Sequence, residues 1–320
     1  MTGKTVGVLG FPFSKGQPKG GTELAPKELR AAGIVDRIQA LGNNVIDHGD
    51  VDLSGLPADS KVGVAKNSLA VGEANKKLSE DVAKYLKKGE QVLLLGGDHS
   101  LGIGSLHGHT QVQPDTVVVW VDAHADLNTP FTSDSKNMHG MPLAYVVKEM
   151  AQFLPKTPGL EWCKPSLSTK DIVYIGLRDV DPGERKFIEQ LGISCFSMHE
   201  VDKFAIKDVV EKALSQVDPS GNRPIHVSFD VDAMDPIHAA STGTKVPGGL
   251  TLREAFYIAE EIAATGRLSV LDMVEVNPKL GSPEEKEVTV ANTVSVTAKF
   301  YGSKRQGDVP PNYVIPRPQA

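Results

Sequence analysis

The 320-residue chain contains only two cysteines, Cys163 and Cys195, too few for a disulfide framework and not at a metal-binding spacing. Both are expected to be buried or inert thiols. There is no surplus of positive charge: 34 Lys and Arg against 40 Asp and Glu leave a net charge of -6. That balance argues against nucleic acid or an anionic membrane as a general partner. Long hydrophobic runs are also missing, since the apolar stretches are strand-length and far short of a membrane span. The first such stretch, Thr5–Gly10, begins almost at once, leaving no room for a signal or transit peptide. A cytoplasmic protein is expected. Hydrophobic content of 40% and charged content of 23% are ordinary for a globular chain.

What is present centres on Val117-Val118-Val119-Trp120-Val121-Asp122-Ala123-His124-Ala125-Asp126. A β-branched run of this kind marks a strand buried on both faces of a parallel sheet. It ends in Asp, His and Asp at alternate positions. Alternation in an extended chain would put Asp122, His124 and Asp126 on one side. Carboxylates and an imidazole in water-poor surroundings need a cation to offset their desolvation.

Along the chain, strands are expected at Thr5–Pro12, Asn44–Asp47, Gln91–Leu95, Asp171–Leu177, Ser194–Ser197, Pro224–Phe229 and Ser269–Val276. Helices are expected at Glu23–Ala32, Asn67–Lys88, Ile103–His109, Leu143–Phe153, after Glu184 to Leu191, Ile206–Val217, Leu252–Thr265 and Pro283–Phe300. Ser54–Ala65 reads as loop, 154–170 as an insertion loop and Pro310–Ala320 as an irregular tail. Strand and helix alternate without a repeat or linker. The fold class is therefore α/β, a single domain with a doubly wound, mostly parallel sheet flanked by helices. In such sheets ligands bind beyond the carboxyl ends of the strands. Every polar cluster in this chain falls at such an end.

Three segments supply candidate metal ligands: His99; Asp122, His124 and Asp126; and Asp230 with Asp232. Two imidazoles, four carboxylates and no thiolate disfavour structural zinc and suit Mn²⁺ or a similar ion. Four carboxylates exceed the charge of one divalent ion, so two ions sharing bridging Asp groups are expected. Such a pair can lower the pKa of a shared water and make a hydroxide nucleophile.

The order and spacing of five segments resemble the ureohydrolases, and within them the arginases, from about Val6 to Gly307. These segments are Gly96-Gly97-Asp98-His99-Ser100-Leu101, Val121-Asp122-Ala123-His124-Ala125-Asp126-Leu127-Asn128-Thr129-Pro130, Ser228-Phe229-Asp230-Val231-Asp232, Thr242-Gly243-Thr244, and Asp272-Met273-Val274-Glu275-Val276-Asn277-Pro278. The resemblance implies an arginine-metabolising, urea-cycle type of enzyme that hydrolyses L-arginine to L-ornithine and urea with two Mn²⁺ per chain. His99, Asp122, Asp126 and Asp230 would hold one ion. His124, Asp122, Asp230 and Asp232 would hold the other, with Asp122 and Asp230 bridging. A bridging hydroxide would attack the guanidinium carbon, Asp126 would pass a proton to the leaving amine, and His139 would relay protons to solvent. Glu275 would hold the guanidinium, a planar cation suited to a carboxylate.

Substrate choice would rest on groups reading the amino-acid end. Asn128, Ser135 and Asn137, in a loop that looks like the arginase carboxylate-binding loop, are neutral hydrogen-bonding groups. Asp181 and Glu184 match the family's ammonium-reading segment, and Thr244 lies in a further matching segment. Agmatine lacks the carboxylate and should be rejected. The chain departs from the family pattern at Lys136, where many relatives have Gly, at Ala233-Met234, and at Lys245 with the nearby His238-Ala239-Ala240-Ser241. The competing readings are an agmatinase or other guanidino-acid hydrolase, a metal-dependent deacetylase on a related fold, and a catalytically silent homologue. The resemblance further implies a homotrimer. Residues 1–307 would form the catalytic domain, and 308–320 a tail in the same domain or at an oligomer contact, with Arg305 beside it.

Overall fold

β-branched and aliphatic runs build the strands, and their alternation decides which face each side chain serves. In β4 (Val117–Val121), Val117, Val119 and Val121 enter one apolar cluster while Val118 and Trp120 enter the other. All five are buried, as a central parallel strand covered on both faces requires. The computed structural model describes residues 4–58, 64–310 and 313–317. The polar run Asp59-Ser60-Lys61 lies outside the described residues.

The other strands are β1 (Thr5–Gly10), β2 (Asn44–Asp50), β3 (Gln91–Leu95), β5 (Ile172–Ile175), β6 (Ser194–Phe196), β7 (Ile225–Asp230) and β8 (Leu268–Val274). They form one eight-stranded parallel sheet in the order β2-β1-β3-β8-β7-β4-β5-β6. On one face pack α1 (Ala25–Ala31), α2 (Ile34–Ala40), α7 (Met198–Val217), α8 (Leu252–Thr265) and α9 (Pro283–Phe300). On the other pack α3 (Ser68–Lys87), α4 (Gly102–Val112), α5 (Pro142–Val146) and α6 (Pro182–Leu191). The doubly wound α/β expectation holds. No helix among the described residues is long and apolar enough to cross a membrane.

Several expected elements are corrected. The helix over Leu143–Phe153 breaks after Val146, because Val147 is extended and bridges Leu167, with Lys148 N–H bonded to Leu167 O. The segment at 154–170 thus docks on the helix and ends it: pairing overrides local periodicity. Helix α2 was not expected at all. It starts after Gly33, which takes the left-handed conformation that separates it from α1. In α7 the backbone at Ala205 leaves helical geometry (φ 59°, ψ 158°), so Ile206 does open a helical segment, as the periodicity indicates. The preceding turns are started by a capping box between Ser197 and Glu200.

Cys163 and Cys195 are half-buried rather than fully buried. Burial pushes their thiols up to about 12 and about 11. Because the thiolate is the nucleophile, both should resist a disulfide reagent at pH 8 and react only on unfolding. Rapid labelling of either thiol in the folded protein would contradict this.

Candidate metal centre

Parallel strands all end on the same side, and the adjacent set β3-β8-β7-β4 gathers the polar residues there. His99 follows β3, Glu275 follows β8, Asp230 closes β7, and Asp122 to Asp126 follow β4. Local sequence sets each turn. A Cβ on Gly97 would collide with the carbonyl oxygen of Phe13, so only glycine lets these backbones approach. Asp98 then caps the turn, accepting from Gly16 N–H at 2.8 Å and Ser100 N–H at 3.0 Å.

The alternation expected through Asp126 is not what brings the β4 ligands together. Regular strand ends at Val121, and Asp126 takes a left-handed conformation (φ 50°). That turn swings its carboxylate back beside His99. Glu275 likewise sits one residue past β8 at φ 65°, not inside the strand.

His99 is buried and lies flat on Trp120, with ring centroids 4.1 Å apart and 7° between planes. Its Nε2 is 2.8 Å from Ser228 Oγ. Its Nδ1 lies 3.1 Å from Asp122 Oδ2, 3.0 Å from Asp126 Oδ2 and 3.2 Å from Asp230 Oδ2, and makes no hydrogen bond. His124 Nδ1 faces Asp122 Oδ1 at 3.5 Å and Asp232 Oδ2 at 3.3 Å. Two ligand groups result: His99, Asp122 and Asp126; and Asp122, His124 and Asp232. Asp122 belongs to both. Asp230 reaches the first group through His99 but lies outside both triads of mutually close atoms.

Burial raises the Asp126 carboxyl to about 6, reinforced by Asp122. Burial and the neighbouring carboxylates also raise Asp230 and Asp232. Burial alone would depress His99, but Asp122, Asp126 and Asp230 hold it well above the ordinary imidazole range. These shifts describe crowded carboxylates offset mainly by the two imidazoles, His99 and His124. A buried imidazole nitrogen with no hydrogen bond, ringed by carboxylates, fits a divalent cation.

A cleft of about 130 Å³ opens over the cluster. His124, Asp126, Asn128, Ser135, His139, Asp181, Glu184, Asp230 and Thr244 line it. Asn137 and Glu275 are buried and are not among the residues lining it. Asn128 donates to Asp181 Oδ2 at 2.8 Å. Glu184 is a capping residue as well as a wall: its oxygens accept from Asp181 N–H and Leu127 N–H, each at 3.0 Å. Burial nonetheless raises it to about 8. Thr244 donates to Asp232 Oδ2 at 2.8 Å, so it steadies a ligand. Glu275 Oε1 accepts from His99 N–H at 2.9 Å and lies 3.2 Å from His139 Nδ1, while its buried Oε2 makes no hydrogen bond.

Sequence reasoning missed four residues here. Trp120 supports His99 and donates to Asp122 Oδ2 at 3.0 Å; its position two residues before Asp122 was the available signal. Asp179 lies 3.6 Å from His124 Nε2, and Ser133 lines the cleft. Arg178 donates to the carbonyls of Asp232, Ala233 and Val246, pinning the turn that carries Asp232. Its lone positive charge at the end of β5 could have been noticed.

Lys136 holds a left-handed backbone (φ 59°), and its Nζ donates to Pro130 O at 2.6 Å, tying the ends of the loop. Lys136→Gly removes the backbone strain and the tie together. The expected outcome is a several-fold rise in KM with kcat little changed; an unaltered KM would show that the tie has no part in binding.

Fold and cluster together define an α/β protein with an acidic, imidazole-bearing site able to hold divalent metal. Residues 4–300 match the Arginase family, and the chain belongs to that family. It is 50% identical over 309 residues to Arginase-1 of Rattus norvegicus, covering 96% of each chain. It is 49% identical over 315 residues to Arginase-1 of Homo sapiens, covering 98% of each. Among solved structures, arginase from Bacillus caldovelox superposes with a TM-score of 0.86 at 34% identity, over 94% of this chain and 99% of that one. Entamoeba histolytica arginase in complex with L-ornithine gives 0.84 at 32% identity, over 94% and 100%.

Proposed function

We propose that this protein hydrolyses L-arginine to L-ornithine and urea at a centre of two Mn²⁺ ions. The observation that carries the reading is the paired ligand set sharing Asp122, at the floor of the cleft. His99, Asp122, Asp126 and Asp230 would hold one ion; His124, Asp122, Asp230 and Asp232 the other. When bound, the pair supplies hydroxide at neutral pH by lowering the pKa of water.

The chain's own groups do the rest. Hydrolysis joins a water oxygen to the guanidinium carbon and breaks a C–N bond, so the departing amine needs a proton. Asp126 lines the cleft beside the cluster, so its carboxylate is placed to accept and return that proton. His139, at the half-buried cleft edge, is the relay to solvent, oriented by Glu275. The unpartnered Oε2 of Glu275 supports its role toward the guanidinium. Asn128, Ser135 and Asn137 would read the α-carboxylate, and Asp181 with Glu184 the α-ammonium.

We further assign residues 1–307 as the catalytic domain of a cytoplasmic homotrimer in urea-cycle chemistry, with 308–320 as a tail in the same domain or at an oligomer contact. Support comes from exposed apolar side chains at Val309, Val314 and Ile315. Arg305 anchors the start of this tail, donating from N and Nε to Glu260 at 2.8 Å.

The testing experiment is urea release by Mn²⁺-loaded protein with L-arginine, agmatine and 4-guanidinobutyrate side by side. Preference for arginine is expected, on the order of 10⁴-fold over agmatine, because a site built for a carboxylate is left with unpaired polar groups. A preference for agmatine would retain the metal chemistry and overturn the assignment of Asn128, Ser135 and Asn137.

A further inference from the structure

Behind the metal cluster, away from the cleft, runs a second polar system that the reaction does not use. Its centre is Asp272, a fully buried carboxylate within β8. Ser105 Oγ–H donates to Oδ1 at 2.7 Å, and Ser228 Oγ–H donates to Oδ2 at 3.2 Å. His226 Nε2 lies 2.9 Å from the same Oδ2. On its far side His226 Nδ1 is 3.0 Å from Nδ1 of His109. His109 Nε2 in turn meets Gln113 Oε1 at 2.7 Å and Thr116 Oγ1 at 3.1 Å. Ser105, His109, Thr116, His226 and Ser228 are all buried.

Hydrogen counting gives this chain a direction. Thr116 spends its proton on Gln113 O at 2.8 Å, and Gln113 Oε1 only accepts. His109 must therefore carry its proton on Nε2 and accept at Nδ1. His226 then donates from Nδ1 to His109 and from Nε2 to Asp272, which makes it an imidazolium paired with a buried carboxylate. Isolated in the core, neither charge would survive; together they satisfy each other. Burial and the neighbouring His226 depress His109 to about 3, consistent with a neutral ring there. At the other end, Ser228 gives its proton to Asp272 and is left to accept from His99 Nε2–H. His99 Nδ1 is then the nitrogen turned toward the three cluster carboxylates, and its lone pair becomes available there once a cation takes the place of a proton.

We propose that His226 and Asp272 are positioning residues for His99: acting through Ser228, the buried ion pair fixes the ring orientation and tautomer that turn Nδ1 toward the metal. The inference rests on the metal-centre reading above. Hydrogen-bond partners of a ligating histidine typically set metal affinity by about 10- to 100-fold. Only the ion held by His99 should feel this pair, because His124 has no link to it among the described contacts.

The test has two parts. In histidine-labelled wild-type protein without metal, nitrogen NMR should show His226 protonated on both nitrogens and His109 on Nε2 alone. A neutral His226 overturns the proposal, and this part needs no variant to fold. In titrations of metal-free Asp272→Asn and His226→Asn with Mn²⁺, followed by electron paramagnetic resonance, one binding step should weaken about 10- to 100-fold. The other step should stay at the wild-type value. Two unchanged steps in folded variants overturn the positioning role while leaving the metal centre intact. A wild-type protein that binds no metal overturns the metal centre, and the proposal with it.

Discussion

Asp122→Asn is expected to abolish arginine hydrolysis, lowering kcat/KM by at least about 10³-fold, the scale of several kcal/mol of lost charge stabilisation. Asp122 is the single side chain common to both ligand groups: Oδ2 faces His99 at 3.1 Å and Oδ1 faces His124 at 3.5 Å. An amide offers one oxygen where the carboxylate offers two, and it carries no charge. The –NH₂ would also point a donor at one of the sites. Bound manganese, measured by elemental analysis after gel filtration, should fall for both sites together. Loss of a single ion, or retention of both, would show that Asp122 does not bridge them.

Asp126→Asn is expected to lower kcat by about 10²- to 10⁴-fold, the range for removing a general acid–base group, with KM for arginine changed only a few-fold. The variant suits the question because asparagine accepts the left-handed backbone (φ 50°) as readily as aspartate does. Its amide oxygen can still face His99. What it cannot do is take up a proton, and Asp126 is a cluster carboxylate that lines the cleft. Steady-state kinetics checks the split. A KM rise that accounts for the whole loss would assign Asp126 to substrate or metal binding alone.

The parts of this molecule legible in its sequence are those where one physical pattern dominates. The apolar, valine-rich run of β4 reads as a strand covered on both faces, and its polar ending is costly without a cation. That reasoning reached Asp122, His124 and Asp126 as candidates, and the polar ends of two other expected strands added His99, Asp230 and Asp232. It failed where tertiary contacts decide. The break after Val146 comes from pairing with Leu167, twenty residues away in the chain, and nothing local announces it. The convergence of Asp122 and Asp126 was right in outcome but wrong in cause: a left-handed residue, not strand alternation, brings them together. The ion pair of His226 and Asp272 was invisible because its members lie on two strands and gain meaning only through α4 and Ser228. Glu184 is divided between two roles, capping α6 and walling the cleft, which a motif alone cannot separate.

The central claim is that two divalent ions, with Asp122 common to both ligand groups, act on arginine. The most direct measurement is manganese stoichiometry and urea release on the same metal-titrated sample. Two ions per chain, with urea production from L-arginine rising as the sites fill, is the predicted result. Saturation at one ion, or two ions bound with no urea from arginine, would contradict the account.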